Sequence, residues 1–135
     1  MRVIAGKARR LQLKTIEGMN TRPTQDRTKE TMFNVINNCV PGCYFLDLFS
    51  GSGGIGIEAA SRGASKVIMC EKSKEAANII NKNLEKTKLI NQVKLYNMDF
   101  KDMIKNKLEE KLDIIYLDPP YKTNYAYEAS KLILE

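Results

Sequence analysis

Apolar residues follow two rhythms along this chain. Short unbroken runs lie at residues 43–49 (CYFLDLF), 66–71 (KVIMCE), 93–98 (VKLYNM) and 113–118 (DIIYLD). Each is a strand candidate, and runs so uniformly apolar fit strands buried on both faces of a sheet. Between them the spacing changes to three and four. A helix is expected through Ile57, Ala59 and Ala60, ending near Gly63. A second runs from a Ser73 cap to about Lys88, with Ala76, Ile80 and Leu84 on one face. A helix or helical loop covers 100–111, and a last helix starts near Tyr125. Strand and helix in alternation predict a parallel sheet with helices on both faces.

The first forty residues follow another pattern. Residues 2–5 and 11–16 are β-prone runs around Gly6-Lys7-Ala8-Arg9-Arg10, which predicts a hairpin with a basic tip. Residues 17–20 break it. A helix then opens at Pro23-Thr24, with Thr24 as N-cap, Asp26 in the first turn, and Met32, Phe33 and Ile36 as its apolar stripe.

Charge sharpens this division. Residues 1–30 carry eight basic side chains against three acidic ones, which places +5 of the net +6 there. A basic arm on a near-neutral body points to a polyanion, nucleic acid ahead of membrane; incidental surface charge is the competing explanation. The 135 residues form one domain at most, and no apolar run is long enough to span a bilayer. The opening residues show no signal pattern, so a cytoplasmic chain is expected. Cys39, Cys43 and Cys70 are too few and too isolated for a disulfide framework or a zinc site, and all three are expected to be packing residues. There is no histidine, which removes Ser-His-Asp and Cys-His chemistry and the commonest metal ligand; no metal is expected.

The chemistry-bearing stretches all fall at strand ends. After the first strand, Gly51, Gly53 and Gly56 fit G-x-G-x-x-G, with Asp47 just before them. A carboxylate there repels a pyrophosphate but favours a ligand with a cationic amino group, such as S-adenosylmethionine. Asp47 can equally brace the turn by accepting its amides. Glu71 ends the second strand and suits two ribose hydroxyls, a feature that nicotinamide dinucleotides share. Asp99, after the third, can accept from an adenine amine or cap the next helix. Asp118-Pro119-Pro120-Tyr121 ends the fourth. Its prolines remove two amide donors, which leaves carbonyl oxygens and the Asp118 carboxylate as acceptors for an –NH2 group. Tyr121 offers a face on which a base can stack.

In these stretches the chain resembles the class I S-adenosylmethionine-dependent methyltransferases, and most closely the RsmD-type 16S ribosomal RNA (guanine-N2)-methyltransferases. MRVIAGK, RPTQDRTKETMFN, DLFSGSGGIGIEAASRGA and YLDPPY carry the resemblance over nearly the whole chain. It implies a Rossmann-like α/β fold: a doubly wound parallel sheet of strand order 3-2-1-4, behind an N-terminal β-hairpin and helix. It also implies a basic arm over 1–22 and a methyltransferase domain over 23–135. Further C-terminal strands, which would cover the edge of the sheet, are expected to be missing.

The resemblance places Asp47, Gly51, Ser52 and Gly53 against the methionine part of the cofactor, Glu71 on its ribose, and Asp99 with Phe100 on its adenine. Asp118, Pro119, Pro120 and Tyr121 then form the target-amine site, while Arg2, Lys7, Arg9, Arg10 and Arg22 face RNA. The implied partner is ribosomal RNA in the small subunit or its assembly intermediate, with no membrane. The family often has glycine near position 10, where this chain has Arg10. DPPY also occurs in DNA adenine methyltransferases. A DNA or other RNA amino-methyltransferase therefore stays open, as do a nicotinamide-dependent oxidoreductase and a non-catalytic RNA-binding module with an incomplete site.

Overall fold

Side chains alternate faces along a strand, and that period of two organises the molecule. In the computed structural model, which describes residues 1–15, 23–107, 111–118 and 125–134, four strands form one parallel sheet. They are β1 (Tyr44–Asp47), β2 (Lys66–Cys70), β3 (Val93–Tyr96) and β4 (Ile114–Tyr116), in the order β3-β2-β1-β4. This is the order that the resemblance implied.

Phe45, Val67 and Met69 point to one face, and Leu46, Leu48, Ile68 and Cys70 to the other. The first face packs against α1 (Pro23–Val35), α2 (Gly54–Ser61) and α3 (Lys74–Thr87) through Phe33, Ile57, Ala60, Ile80 and Leu84. The second packs against α4 (Phe100–Lys107) and α5 (Tyr125–Leu134) through Phe100, Met103, Ile104 and Ala129.

Burial on both faces holds for the central strands β1 and β2 but not for the edges. Lys94 on β3 points to solvent, and Ile115 on β4 is 38% exposed. Every strand is also shorter than its apolar run, because pairing ends where the chain bends into a loop. Cys43 and Cys70 are buried as expected, but Cys39 is exposed on a single 3-10 turn beyond α1.

Helix ends follow local chemistry. The Ser73 Oγ accepts the Ala76 N–H at 3.2 Å and caps α3. Thr24 is not a cap. The helix already includes Pro23, whose fixed φ and missing N–H suit the first helical position, so Thr24 lies one residue inside.

The N-terminal hairpin forms, though with less ladder than two β-prone runs suggest. Arg2 and Gln12 make one antiparallel bridge, flanked by Val3 N–H to Leu11 O at 3.0 Å and Leu13 N–H to Met1 O at 2.8 Å. The donors of Ile4 and Ala5 turn away to the Glu58 carboxylate on α2, at 2.8 and 3.0 Å. Val3, Ala8 and Leu13 enter the same core as Phe33 and Phe45. At Gly6 the backbone has φ +88°, and a Cβ would stand 2.0 Å from the Ser61 carbonyl oxygen. Only glycine permits so close an approach of the hairpin to α2.

Arg10 has φ 72°, a left-handed conformation that a side chain disfavours. Arg10→Gly is expected to stabilise the fold by about 0.5–1 kcal/mol, as relief of the αL cost exceeds the added chain entropy. Urea unfolding checks this; an unchanged or lower midpoint contradicts it.

Candidate functional site

The C-terminal ends of β2, β1 and β4 come together, and the predicted acids come with them. Asp47 lies opposite Met69 on β2 and Tyr116 on β4, Glu71 follows β2 directly, and Asp118 stands two residues past β4. Ligands of open parallel sheets bind at such a crest, where neighbouring crossovers leave in opposite directions.

Between β1 and α2 the chain makes the glycine turn. Gly51 has φ 57°, and a Cβ on it would meet no described atom within 4 Å. The turn is therefore open to a ligand there. Gly53 is the left-handed residue that starts α2, while Gly56 faces Met69 and serves close helix–sheet packing.

Asp47 is 1% exposed. Its Oδ2 accepts the Gly56 N–H at 3.2 Å. Its Oδ1 is buried with no hydrogen-bond partner. One oxygen thus satisfies an amide in the first turn of α2 and the other is left with an unfilled acceptor, an expensive arrangement in a folded protein. Burial pushes the Asp47 carboxyl up to about 7, and the negative charges of Glu71 and Asp118 push the same way.

Glu71 is half-buried and holds the turn from the other side. Its Oε1 accepts the Gly51 N–H at 2.8 Å and its Oε2 the Ser73 N–H at 2.9 Å. Each oxygen keeps a lone pair for a hydroxyl. Asp99 caps α4: its Oδ1 accepts the Lys101 N–H at 2.9 Å, and its Oδ2 lies 3.8 Å from the Lys72 ammonium. Phe100 is buried, its ring centroid 5.0 Å from that of Phe49 and 5.1 Å from that of Tyr125. Its ring belongs to the core beneath the crest.

Asp118 is exposed. Burial, followed by the charges of Asp118 and Asp47, pushes the phenol of nearby Tyr116 up to about 12. Pro119, Pro120, Tyr121 and Arg22 lie outside the described residues.

Arg2, Lys7, Arg9 and Arg10 are all exposed on the hairpin, available to a polyanion. Lys29, counted in the same basic arm, is not: it is 4% exposed and lies 3.4 Å from Glu58. Two residues at the crest escaped the sequence reading. Tyr116 ends β4 two residues before Asp118, a spacing visible in DIIYLD. Asn83 on α3 reaches the Ser52 carbonyl, and nothing local marks it. Among the described residues no cluster of His, Cys, Asp and Glu could hold a metal, and no helix is long and apolar enough to cross a membrane.

Comparisons with known proteins identify what the chain is similar to. Residues 1–135 match the family described as "Conserved hypothetical protein 95". The chain is 40% identical over 124 residues to the putative rRNA methyltransferase YlbH of Bacillus subtilis, covering 90% of this chain and 67% of the relative. It is 38% identical over 137 residues to ribosomal RNA small subunit methyltransferase D of Haemophilus influenzae, covering 100% of this chain and 71% of the relative. The solved structure of the putative methyltransferase yhhF from Escherichia coli superposes with a TM-score of 0.88 at 27% identity, over 100% of this chain and 72% of that one.

Proposed function

Because the chain belongs to the RsmD family of methyltransferases, the family described as conserved hypothetical protein 95, we propose that it methylates small-subunit ribosomal RNA in the cytoplasm. S-adenosylmethionine is the donor and the exocyclic 2-amino group of a guanine the acceptor. One observation carries the choice of donor: the bare, buried Oδ1 of Asp47 beside the open turn at Gly51. Three carboxylates surround that space, which repels a pyrophosphate and attracts a phosphate-free cation. A nicotinamide dinucleotide is disfavoured on the same ground.

Asp47, Gly51, Ser52 and Gly53 would hold the methionine end of the donor, Glu71 its ribose, and Asp99 with the Phe100 backbone its adenine. When bound, the donor supplies an electrophilic methyl group on a positively charged centre. The chain itself supplies placement and electrostatics. Asp47 and Glu71 orient the donor. Asp118 accepts a hydrogen bond from the target amine and so orients its lone pair. Pro119, Pro120 and Tyr121 complete this acceptor site in the proposal. Arg2, Lys7, Arg9, Arg10 and Arg22 hold the RNA backbone, a contact that weakens steeply with salt.

The test is label transfer from S-adenosylmethionine to undermethylated 30S subunits by the full-length protein. No transfer rejects the proposal. Asp118→Ala is expected to cut transfer about 100-fold, as removal of one preorganised polar group at a reacting centre does, while calorimetry shows donor affinity within about twofold. Equal loss of both would put Asp118 in the wrong role. NAD binding without S-adenosylmethionine binding favours the oxidoreductase, and RNA binding with no donor binding favours the non-catalytic module.

A further inference from the structure

The hairpin and the glycine turn are far apart in the chain, yet one buried side chain joins them. Asn83 on α3 is 1% exposed. Its Oδ1 accepts the Lys14 N–H at 2.7 Å, and its Nδ2 donates to the Lys14 carbonyl at 3.0 Å and to the Ser52 carbonyl at 3.1 Å. Lys14 lies on the returning half of the hairpin, next to Leu13, which bonds Met1. Ser52 is the middle residue of the turn, between two glycines in left-handed conformation.

A planar amide fixes its donor and acceptor directions together. Shielded from water, its bonds have no solvent substitute, so moving one partner strains the others. The glycines on either side of Ser52 impose little direction of their own. The Ser52–Gly53 peptide is held on both sides, its N–H by the Ser50 carbonyl at 2.8 Å and its carbonyl by Asn83 at 3.1 Å, and the Asn83 bond is the one that ties this peptide to the hairpin.

We propose that Asn83 is a positioning residue that couples the methyl-donor site to the basic hairpin, so that donor and RNA each tighten the binding of the other. The inference rests on the functional reading above. A donor that orders residues 51–53 fixes the Ser52 carbonyl, hence the Asn83 amide, hence the Lys14 peptide and the hairpin. Binding free energies couple reciprocally, so RNA on the hairpin orders the turn in return.

The experiment measures affinity for an unmethylated small-subunit ribosomal RNA transcript, with and without saturating S-adenosylhomocysteine, at fixed salt. In the wild type the small molecule is expected to tighten RNA binding by about fivefold or more, a typical coupling between sites. In Asn83→Ala each ligand alone still binds, and the tightening falls below about twofold. A variant that keeps the wild-type coupling overturns the inference.

Should Asn83→Ala fail to fold, hydrogen exchange on the wild type decides. The Lys14 amide is expected to exchange at least about fivefold more slowly when S-adenosylhomocysteine is bound, and no change overturns the inference. Wild-type protein that binds both ligands independently overturns this coupling alone. Wild-type protein that binds neither overturns the functional reading, and the coupling with it.

Discussion

Asp47→Asn is expected to give a protein that is more stable above neutral pH and has lost its donor. An ordinary aspartate ionises at 3.8, but burial holds Asp47 at about 7. Between those values the native state keeps a proton that the unfolded chain has given up, so stability falls as pH rises through this window. Above pH 7 the full penalty is about 4 kcal/mol, at roughly 1.36 kcal/mol per unit of pKa shift. Asparagine removes that penalty and keeps an oxygen to accept the Gly56 N–H. Its amide nitrogen then occupies the partnerless Oδ1 position, at a cost of about 1–3 kcal/mol.

The net gain is about 1–3 kcal/mol at pH 8 and disappears near pH 5, where the aspartate is already neutral. Melting of both proteins across this range reads the widening gap directly. A gap independent of pH would mean that Asp47 is not the perturbed acid. The same substitution removes the buried charge facing a cationic ligand, so donor affinity is expected to fall about a thousandfold, within the range for losing one partner of a buried ion pair. In the wild type, donor affinity is expected to rise about tenfold per pH unit up to about 7 and then level off, since only the ionised form attracts the cation. On the proposed function, a bound cation would then recover part of the free energy that burying this carboxylate costs.

The parts of this fold that are local in the chain were legible. Four apolar runs gave four strands; burial on both faces accounts for the runs at β1 and β2, while β3 and β4 are half-buried edges. Ser73 announced α3 through the capping chemistry of one hydroxyl. The placement of the candidate acids was legible too, since a parallel sheet brings every strand's C-terminal end to one crest, where Asp47, Glu71 and Asp118 stand.

What failed to show was the bonding between distant segments. Glu58 stands four residues before Arg62 and looks like half of an ordinary helix-surface pair. It is instead completely buried, because the hairpin, more than fifty residues earlier in the chain, folds over it. Asn83 looks like a polar residue on an amphipathic helix, and its partners lie 69 and 31 residues away. No periodicity encodes a contact of that separation. The Thr24 expectation failed for a smaller reason: two cap signals competed, and the proline decided.

Glu58→Ala is expected to be the most damaging of these changes to stability. Glu58 is 0% exposed and joins four groups. It accepts the Ile4 and Ala5 amides at 2.8 and 3.0 Å, pairs with Arg62 at 2.8 Å, and lies 3.4 Å from the Lys29 ammonium. Alanine leaves two amides without acceptors, and both a buried ammonium and the nearly buried Arg62 guanidinium without their carboxylate partner. Removing one partner of a buried pair alone costs about 3–5 kcal/mol, so a domain of ordinary stability, about 5–15 kcal/mol, is brought close to unfolding.

The pH dependence identifies the cause. Burial lowers the Lys29 pKa, and Glu58 is the largest influence opposing that. Without Glu58 the pKa drops further. The native lysine then sheds its proton while the unfolded one keeps it up to 10.5, so the stability of the variant rises as pH climbs toward that value. Lys29→Met in the same variant removes the stranded charge and should recover about 1–2 kcal/mol near neutral pH, leaving the two amides unsatisfied. Guanidinium unfolding of the single and double variants separates these contributions. A loss below about 1 kcal/mol for Glu58→Ala would mean that water reaches the pair and that the hairpin is not held through this carboxylate.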